Sequence, residues 1–285
     1  MLEQIYEKSR IIKEINERLE ERGNVCITGC VPSQLEHFLC GLDGGFIQKV
    51  VVTEDEQSAL ESLENLLAFD RAAVYYPALD PMFHKADIRG NYISERRLEA
   101  VRRITSGEKL TVFTCPEAFS DALASLEDIK KKTITIRKGD SLDETSLSGT
   151  LAGLGYSNET LVAGHGEFSI RGNIIDIFPY GEDSPFRLDL WGDSVESIKV
   201  FDAESQRSRK EVESFTIFPG GDREGEEAGA DADFLSYFDP EKALIILNEP
   251  LRTFSEERFL PDFSGFTCVS LSMLGAFGKC ASGSS

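Results

Sequence analysis

The sequence predicts an α/β fold in which a parallel-sheet domain is interrupted by a β-rich α+β insertion. Three observations carry this. Strand-like apolar runs alternate with helix-period segments over the first 127 or so residues. Near Lys130 the pattern changes to period-two alternation, with turns at close intervals. After an acidic stretch without large apolar side chains, a buried-strand pattern resumes at "EKALIILNEP". Strand–helix alternation argues for a parallel sheet covered on both faces. Period-two segments joined by short turns argue for half-buried antiparallel strands.

Taken in order, "MLEQIYEKSRIIKEINERLEERG" is a charged amphipathic helix. The apolar run Val25–Ile27, Gly29, and then Leu35, Phe38 and Leu39 read as strand, glycine turn and helix. "FIQKVVVTED" is a strand and "EQSALESLENLLAF" a helix; "AAVYYP" is a strand and "YISERRLEAVRRITSG" a helix. "KLTVFTCPEAF" is a strand entering another helix. "KKKTITIRKGD" then alternates as a strand, and "SLDETSLSGTLAGLGY" is a short helix with a glycine-rich end. Next come the strand-length pieces "FSIRG", "NIIDIFP", "FRLDLWGD" and "SVESIKVFD", separated by "GN", "PYGEDSP" and "GD". The predicted layout is a discontinuous α/β domain at residues 1–128 plus 234–285 and an inserted domain at 129–220. A flexible acidic linker, "GDREGEEAGADAD", occupies 221–233.

Composition narrows the function classes. The chain has 285 residues, is 41% hydrophobic and carries a formal charge of −20. This length buries a core without staples. The negative field opposes DNA phosphates and anionic membranes, so little independent DNA binding is expected and a protein partner is easier to accommodate. Nothing in the sequence has signal-peptide or membrane-span character, and a cytoplasmic setting is expected. Cys26 and Cys30 have a spacing that metal sites use, but no second pair or histidine completes a site. Reduced core thiols and no metal are the expectation.

The loop from Cys26 to Phe38, "CITGCVPSQLEHF", stands where a phosphate-binding loop would stand. The G-x-x-x-x-G-K-[ST] pattern needs a second glycine, a lysine for phosphate charge and a hydroxyl for magnesium. Counting from Gly29, those positions hold Gln34, Leu35 and Glu36, and Pro32 removes an N–H. Glu36 would set a carboxylate against phosphate, and at ~4 Å in a surface-like dielectric two unit charges repel by about 4 kcal/mol. The loop is thus degenerate: a P-loop NTPase-like frame without ligand or cofactor. His37, His84 and His165 lie in unrelated contexts, and no catalytic constellation is evident.

The stretch "GHGEFSIRGNIIDIFPYGEDSPFRLDLWGDSVESIKVFDAESQRS" resembles the N-terminal part of the bacterial transcription-repair coupling factors. "GEF-x-x-RG-x-x-x-D-x-FP", "P-[YF]-R-[LI]-[DE]" and "FD-x-x-[ST]-QRS" stand in the family's order and spacing. "VYYPALDPMF" and "ISERRLEAVRRI" extend the likeness to about residues 10–275. The resemblance implies a UvrB-homology module with a degenerate phosphate loop and an inserted domain that docks on UvrA. It implies that the ATP- and magnesium-using DNA translocase and the contacts to RNA polymerase and DNA belong to parts beyond this chain. It also implies UvrA contacts at Arg171, Arg187 and Trp191, where the family often has phenylalanine at the last position. Such families often carry a longer helix-rich segment where this chain has only residues 221–233.

Arginine and tryptophan suit such a role, through a planar fork for carboxylates and a large desolvated area. Arg187 and Trp191 are four apart, so on a strand they share a face, with Leu188 and Leu190 opposite. The plainer alternatives are a core position for Trp191 and surface ion pairs of the arginines with Asp176 or Asp189. Asp176 and Phe178 are read as structural. Three functions compete: a non-catalytic adaptor recruiting UvrA, a UvrB-like damage-binding ATPase, and an intramolecular autoinhibitory module. The failed loop argues against the ATPase, as does the lack of a tyrosine-rich hairpin in "ALDPMFHKADIRG".

Overall fold

The computed structural model describes residues 9–31, 34–69, 72–79, 88–121, 125–220, 232–254 and 261–273. The chain divides into two compact units: Met1–Ile93, Arg103–Leu123 and Ala232–Ser285, and Ser94–Arg102 with Ala124–Asp231. The expected linker lies mostly outside the described residues, as do His84 and most of "ALDPMFHKADIRG".

The chain enters the first unit through helix α1, Arg10–Glu20, whose buried stripe is Ile12, Ile15 and Leu19. Strand β1 (Val25–Thr28) and helix α2 (Leu35–Gly41) follow, then β2 (Gln48–Val52) and α3 (Glu56–Leu67). The Asp55 carboxylate starts α3 by accepting from the Ser58 N–H at 2.8 Å, which satisfies one of the orphan donors of a helix start. Then come β3 (Ala73–Tyr75), α4 (Ile88–Thr105) and β4 (Leu110–Thr114).

The second unit adds α5 (Leu126–Lys132), β5 (Ile134–Arg137), α6 (Glu144–Gly153) and β6 (Ser157–Asn158). It continues with β7 (Glu167–Arg171), β8 (Ile174–Phe178), β9 (Phe186–Trp191) and β10 (Ser194–Phe201). Strands β11 (Ser208–Val212) and β12 (Ser214–Ile217) close it. The chain then supplies β13 (Ala243–Asn248), α7 (Pro250–Thr253) and β14 (Thr267–Ser272) to the first unit.

The first sheet has the order β1-β14-β13-β2-β4-β3, and every pairing in it is parallel. The two strands that come last in sequence therefore sit inside the sheet, between β1 and β2. The continuous apolar run of β13 fits this position. Ala243 to Ile246 are buried without alternation, as parallel strands covered on both faces require. One face packs Leu19, Leu35, Leu39, Leu63, Leu66 and Phe113 into a single core.

The sheet of the second unit runs β11-β10-β9-β8-β7-β6, antiparallel except for β6 with β7. Its inner face holds Phe168, Ile175, Ile177, Leu188, Leu190 and Ile198 against Leu147 and Leu151 of α6. Strands β5 and β12 pair with each other, and this adds Ile136, Phe215 and Ile217 to the same core.

The thiols separate by environment. Cys26 is exposed on edge strand β1. Burial, with Glu117 adding to it, pushes the Cys115 thiol up to about 12, and burial pushes Cys268 up to about 11. Since the thiolate is the reactive form, at pH 8 only about 1 in 10⁴ of Cys115 and 1 in 10³ of Cys268 would be ionised. Native-state alkylation at pH 8, read by peptide mass mapping, should modify Cys26 and spare these two until urea is added. Equal labelling of the Cys115 and Cys26 peptides would refute the assignment.

Candidate interaction surface

Two tight hairpins build one end of the second sheet. Arg171 pairs with Ile174 across Gly172–Asn173, and Trp191 pairs with Ser194 across Gly192–Asp193. Gly172 has φ 57° and Gly192 φ 60°, a first turn position that glycine fills without steric cost and that matches the twist of the flanking strands. Both β7 and β9 run antiparallel to β8, so Arg171 and Trp191 reach the same end of the sheet.

They also share its outer face. Ile174 pairs with both Arg171 and Asp189, and Asp189 is two residues from Trp191. Trp191 is 78% exposed and Ile174 37% exposed. Leu188 and Leu190 lie on the opposite, buried face, as the period-two spacing predicted. A core position for Trp191 is excluded.

Asp176 anchors this face. It is fully buried, yet its two oxygens take three charge-assisted hydrogen bonds. Arg187 donates Nε to Oδ1 at 2.7 Å and Nη2 to Oδ2 at 2.9 Å, a bidentate fork, while Arg171 donates Nη2 to Oδ2 at 2.5 Å. The register sets this up, since Asp176 lies directly opposite Arg187. The two arginines are in different situations. The Arg187 side chain is 18% exposed, and its guanidinium lies over the Phe201 ring at 4.5 Å. It also donates Nη1 to the Gln206 carbonyl at 3.2 Å and Nη2 to Gln206 Oε1 at 3.3 Å. Hydrogen bonding to Asp176 outweighs burial and holds the Arg187 pKa above its ordinary value. The Arg171 side chain is 44% exposed and gives only one donor to Asp176.

Neighbouring charges complete the face. Burial would raise the Asp189 pKa, but hydrogen bonds from Lys199 Nζ at 2.6 Å and Ser197 Oγ at 2.7 Å hold it below the usual carboxylate value. Asp189 is therefore occupied by Lys199 and not by Arg187. Ile174 is an outward residue not singled out from the sequence; it stands out of phase with the buried Ile175 and Ile177.

The loop after β1 lies in the first unit. Gly29 has φ 79°. The Cys30 N–H donates to the Ser272 carbonyl at 3.2 Å, and the Val31 N–H donates to Gln34 Oε1 at 3.0 Å. Leu35 is buried in the core, and Glu36 is buried with Oε1 accepting from Asn65 Nδ2 at 3.3 Å. Pro32 and Ser33 are outside the described residues. Among the described residues, no group of histidines, cysteines and acids is placed to hold a metal, and no helix is long and apolar enough to cross a membrane.

An exposed tryptophan, an exposed isoleucine and a half-exposed arginine thus share the outer face of this sheet. Residues 134–222 match the UvrB interaction domain family, and this span includes Arg171, Arg187 and Trp191. Over a longer stretch the chain is similar to transcription-repair-coupling factors, and the resemblance carried by its motifs is thereby shown. The protein of that name from Bacillus subtilis (strain 168) is 32% identical over 168 residues, covering 59% of this chain and 14% of that protein. Those from Staphylococcus aureus strains bovine RF122 / ET3-1 and USA300 are each 29% identical over 205 residues, covering 70% of this chain and 17% of theirs. The aligned part is thus a small fraction of each relative.

Proposed function

We propose that this chain is a non-catalytic adaptor module of a transcription-repair coupling factor and docks on UvrA. In this reading it brings excision-repair proteins to stalled RNA polymerase. The observation that carries it is that Arg171 and Trp191 share the outer face at one end of a sheet within the residues that match the UvrB interaction domain, with Arg187 on the same face. Exposed aromatic area on one sheet face with a half-exposed guanidinium is the composition of an interface hot spot. Motor activity, ATP and magnesium, and contacts to RNA polymerase and DNA are assigned to the longer parent, in a cytoplasmic setting.

The parallel-sheet unit is proposed as a P-loop NTPase-like frame that binds no nucleotide. Support comes from Leu35 and Glu36 being turned into the protein, and from the Cys30 and Val31 amides being already engaged. Restoring the missing lysine should therefore not restore ATP binding. Leu35→Lys is expected to lower unfolding free energy by about 3 kcal/mol, because it removes a core leucine and buries an ammonium. ATP with magnesium should leave the unfolding midpoint of both proteins unchanged. A nucleotide-dependent rise in the parent chain would refute the dead-loop reading.

Calorimetric titration of the chain into purified UvrA tests the adaptor role, beside the double variant Arg171→Ala, Trp191→Ala with its unfolding midpoint confirmed. Saturable binding that the double variant loses establishes both role and surface. Binding that survives keeps the adaptor but moves the site. No heat and no complex with the parent chain sinks the recruitment reading.

A further inference from the structure

The stretch Phe201–Ser208, "FDAESQRS", carries part of the resemblance but supplies none of Arg171, Arg187 and Trp191, and the structure shows what it builds. Asp202 receives the Ser205 N–H at 2.8 Å and the Ser205 hydroxyl at 2.7 Å, and its second oxygen takes Arg209 Nη2. The Gln206 N–H donates back to the Asp202 carbonyl at 2.7 Å, and the Asp202 N–H donates to the Arg207 carbonyl at 3.0 Å. The result is a closed turn between β10 and β11 with Gln206 at φ 58°. A left-handed conformation is uncommon for a residue with a side chain and persists where its surroundings over-determine it.

Every polar group of Gln206 that this turn presents is used. Its Nε2 donates to the Val162 carbonyl at 3.1 Å and the Ala203 carbonyl at 2.7 Å. Its side-chain oxygen and its backbone carbonyl both accept from Arg187. Phe201, from the same stretch, supplies the ring beneath the guanidinium. With Asp176 on the other side, Arg187 is gripped from three directions, and four of the five donor positions of its fork are engaged.

We infer that Gln206 is a positioning residue for partner docking: the turn fixes Arg187, Arg187 fixes the Asp176 carboxylate, and Asp176 aims Arg171. This rests on the docking surface proposed above and assigns Arg187 to its support. The physical reason is that Asp176 Oδ2 is shared. It accepts Arg187 Nη2 at 2.9 Å and Arg171 Nη2 at 2.5 Å, so the geometry of one bond constrains the other. Arg171 has its remaining donors pre-aimed, and less side-chain freedom is lost on binding.

Gln206→Gly is the discriminating variant, because glycine keeps the left-handed backbone and the carbonyl acceptor while removing the side-chain amide. UvrA affinity should fall about tenfold, equivalent to 1.4 kcal/mol. The loss should vanish when Gln206→Gly is introduced into an Arg171→Ala background and persist in a Trp191→Ala background. An undiminished loss in the Arg171→Ala background, or no loss in the parent background, overturns the inference. A second readout does not depend on UvrA: the arginine side-chain ¹⁵N resonances of the free chain. Arg171 should show restrained rotation in the parent chain and faster exchange in Gln206→Gly. If the parent chain fails to bind UvrA, the adaptor reading falls on its own, and unchanged Arg171 exchange in Gln206→Gly then overturns the positioning role separately.

Discussion

Replacing Asp176 by alanine is expected to cost about 3–5 kcal/mol of unfolding free energy, the range for removing one partner of a buried ion pair. The upper part of that range belongs to fully buried charges. Arg171 is half exposed and can turn to water, which argues for a value near the lower end. Arg187 cannot do the same. Its guanidinium lies between the Phe201 ring and the Gln206 turn, so loss of Asp176 strands a charge whose bidentate partner is gone. Asparagine should be little better. Its amide offers one oxygen where three donors converge, and its NH₂ would face an arginine N–H. The glutamate variant adds a methylene where Asp176 is fully buried and should also be destabilising. Urea unfolding followed by circular dichroism measures this, and a change of less than 1 kcal/mol for Asp176→Ala would show that the two arginines relax freely. The first unit has its own core, so the loss should appear in the unfolding of the second unit.

The same cluster shows how far spacing can be read. Period two put Arg187 and Trp191 on one face and Leu188 and Leu190 on the other, because alternation is a property of a single strand. What Arg187 does with its donors depends on neighbours in β8 and beyond β10, at sequence separations of 11 and 19, and no local pattern encodes those. Ion pairs with Asp176 or Asp189 were both open; register decided for Asp176 and gave Asp189 to Lys199. The strand β11, "SRKEV", was invisible for a related reason. It is an exposed, charged edge strand with no apolar face to betray its period, and charge is how edges are kept from pairing further. Helix α5 lacks any buried residue, so it too left no apolar stripe. The buried run of β13 was legible as a strand, but its place inside the sheet was not, since a continuous apolar run reports burial and carries no information on neighbours.

Trp191→Ala is expected to weaken UvrA binding by about 2 kcal/mol or more, some thirtyfold or greater, with no measurable change in unfolding midpoint. The two halves of this expectation have one origin. A side chain 78% exposed contributes little to the free chain, so truncating it removes little folding energy. The same exposure leaves nearly all of its area to be desolvated by a partner. Its backbone is held independently, by pairing with Ser194 across the Gly192 turn, so the indole is presented at a fixed place without needing its own contacts to stay there. Trp191→Phe should retain most of the affinity, because the resemblance requires an aromatic there and phenylalanine loses only part of the area. As Trp191 is the sole tryptophan, labelling the chain with 5-fluorotryptophan gives one ¹⁹F resonance for this site. That resonance should shift on addition of UvrA in the parent chain, and more weakly in Arg171→Ala at equal concentrations. A resonance that stays at its free position while calorimetry reports binding would place the interface elsewhere on the chain. It would leave Trp191 as an exposed apolar residue with some other occupant.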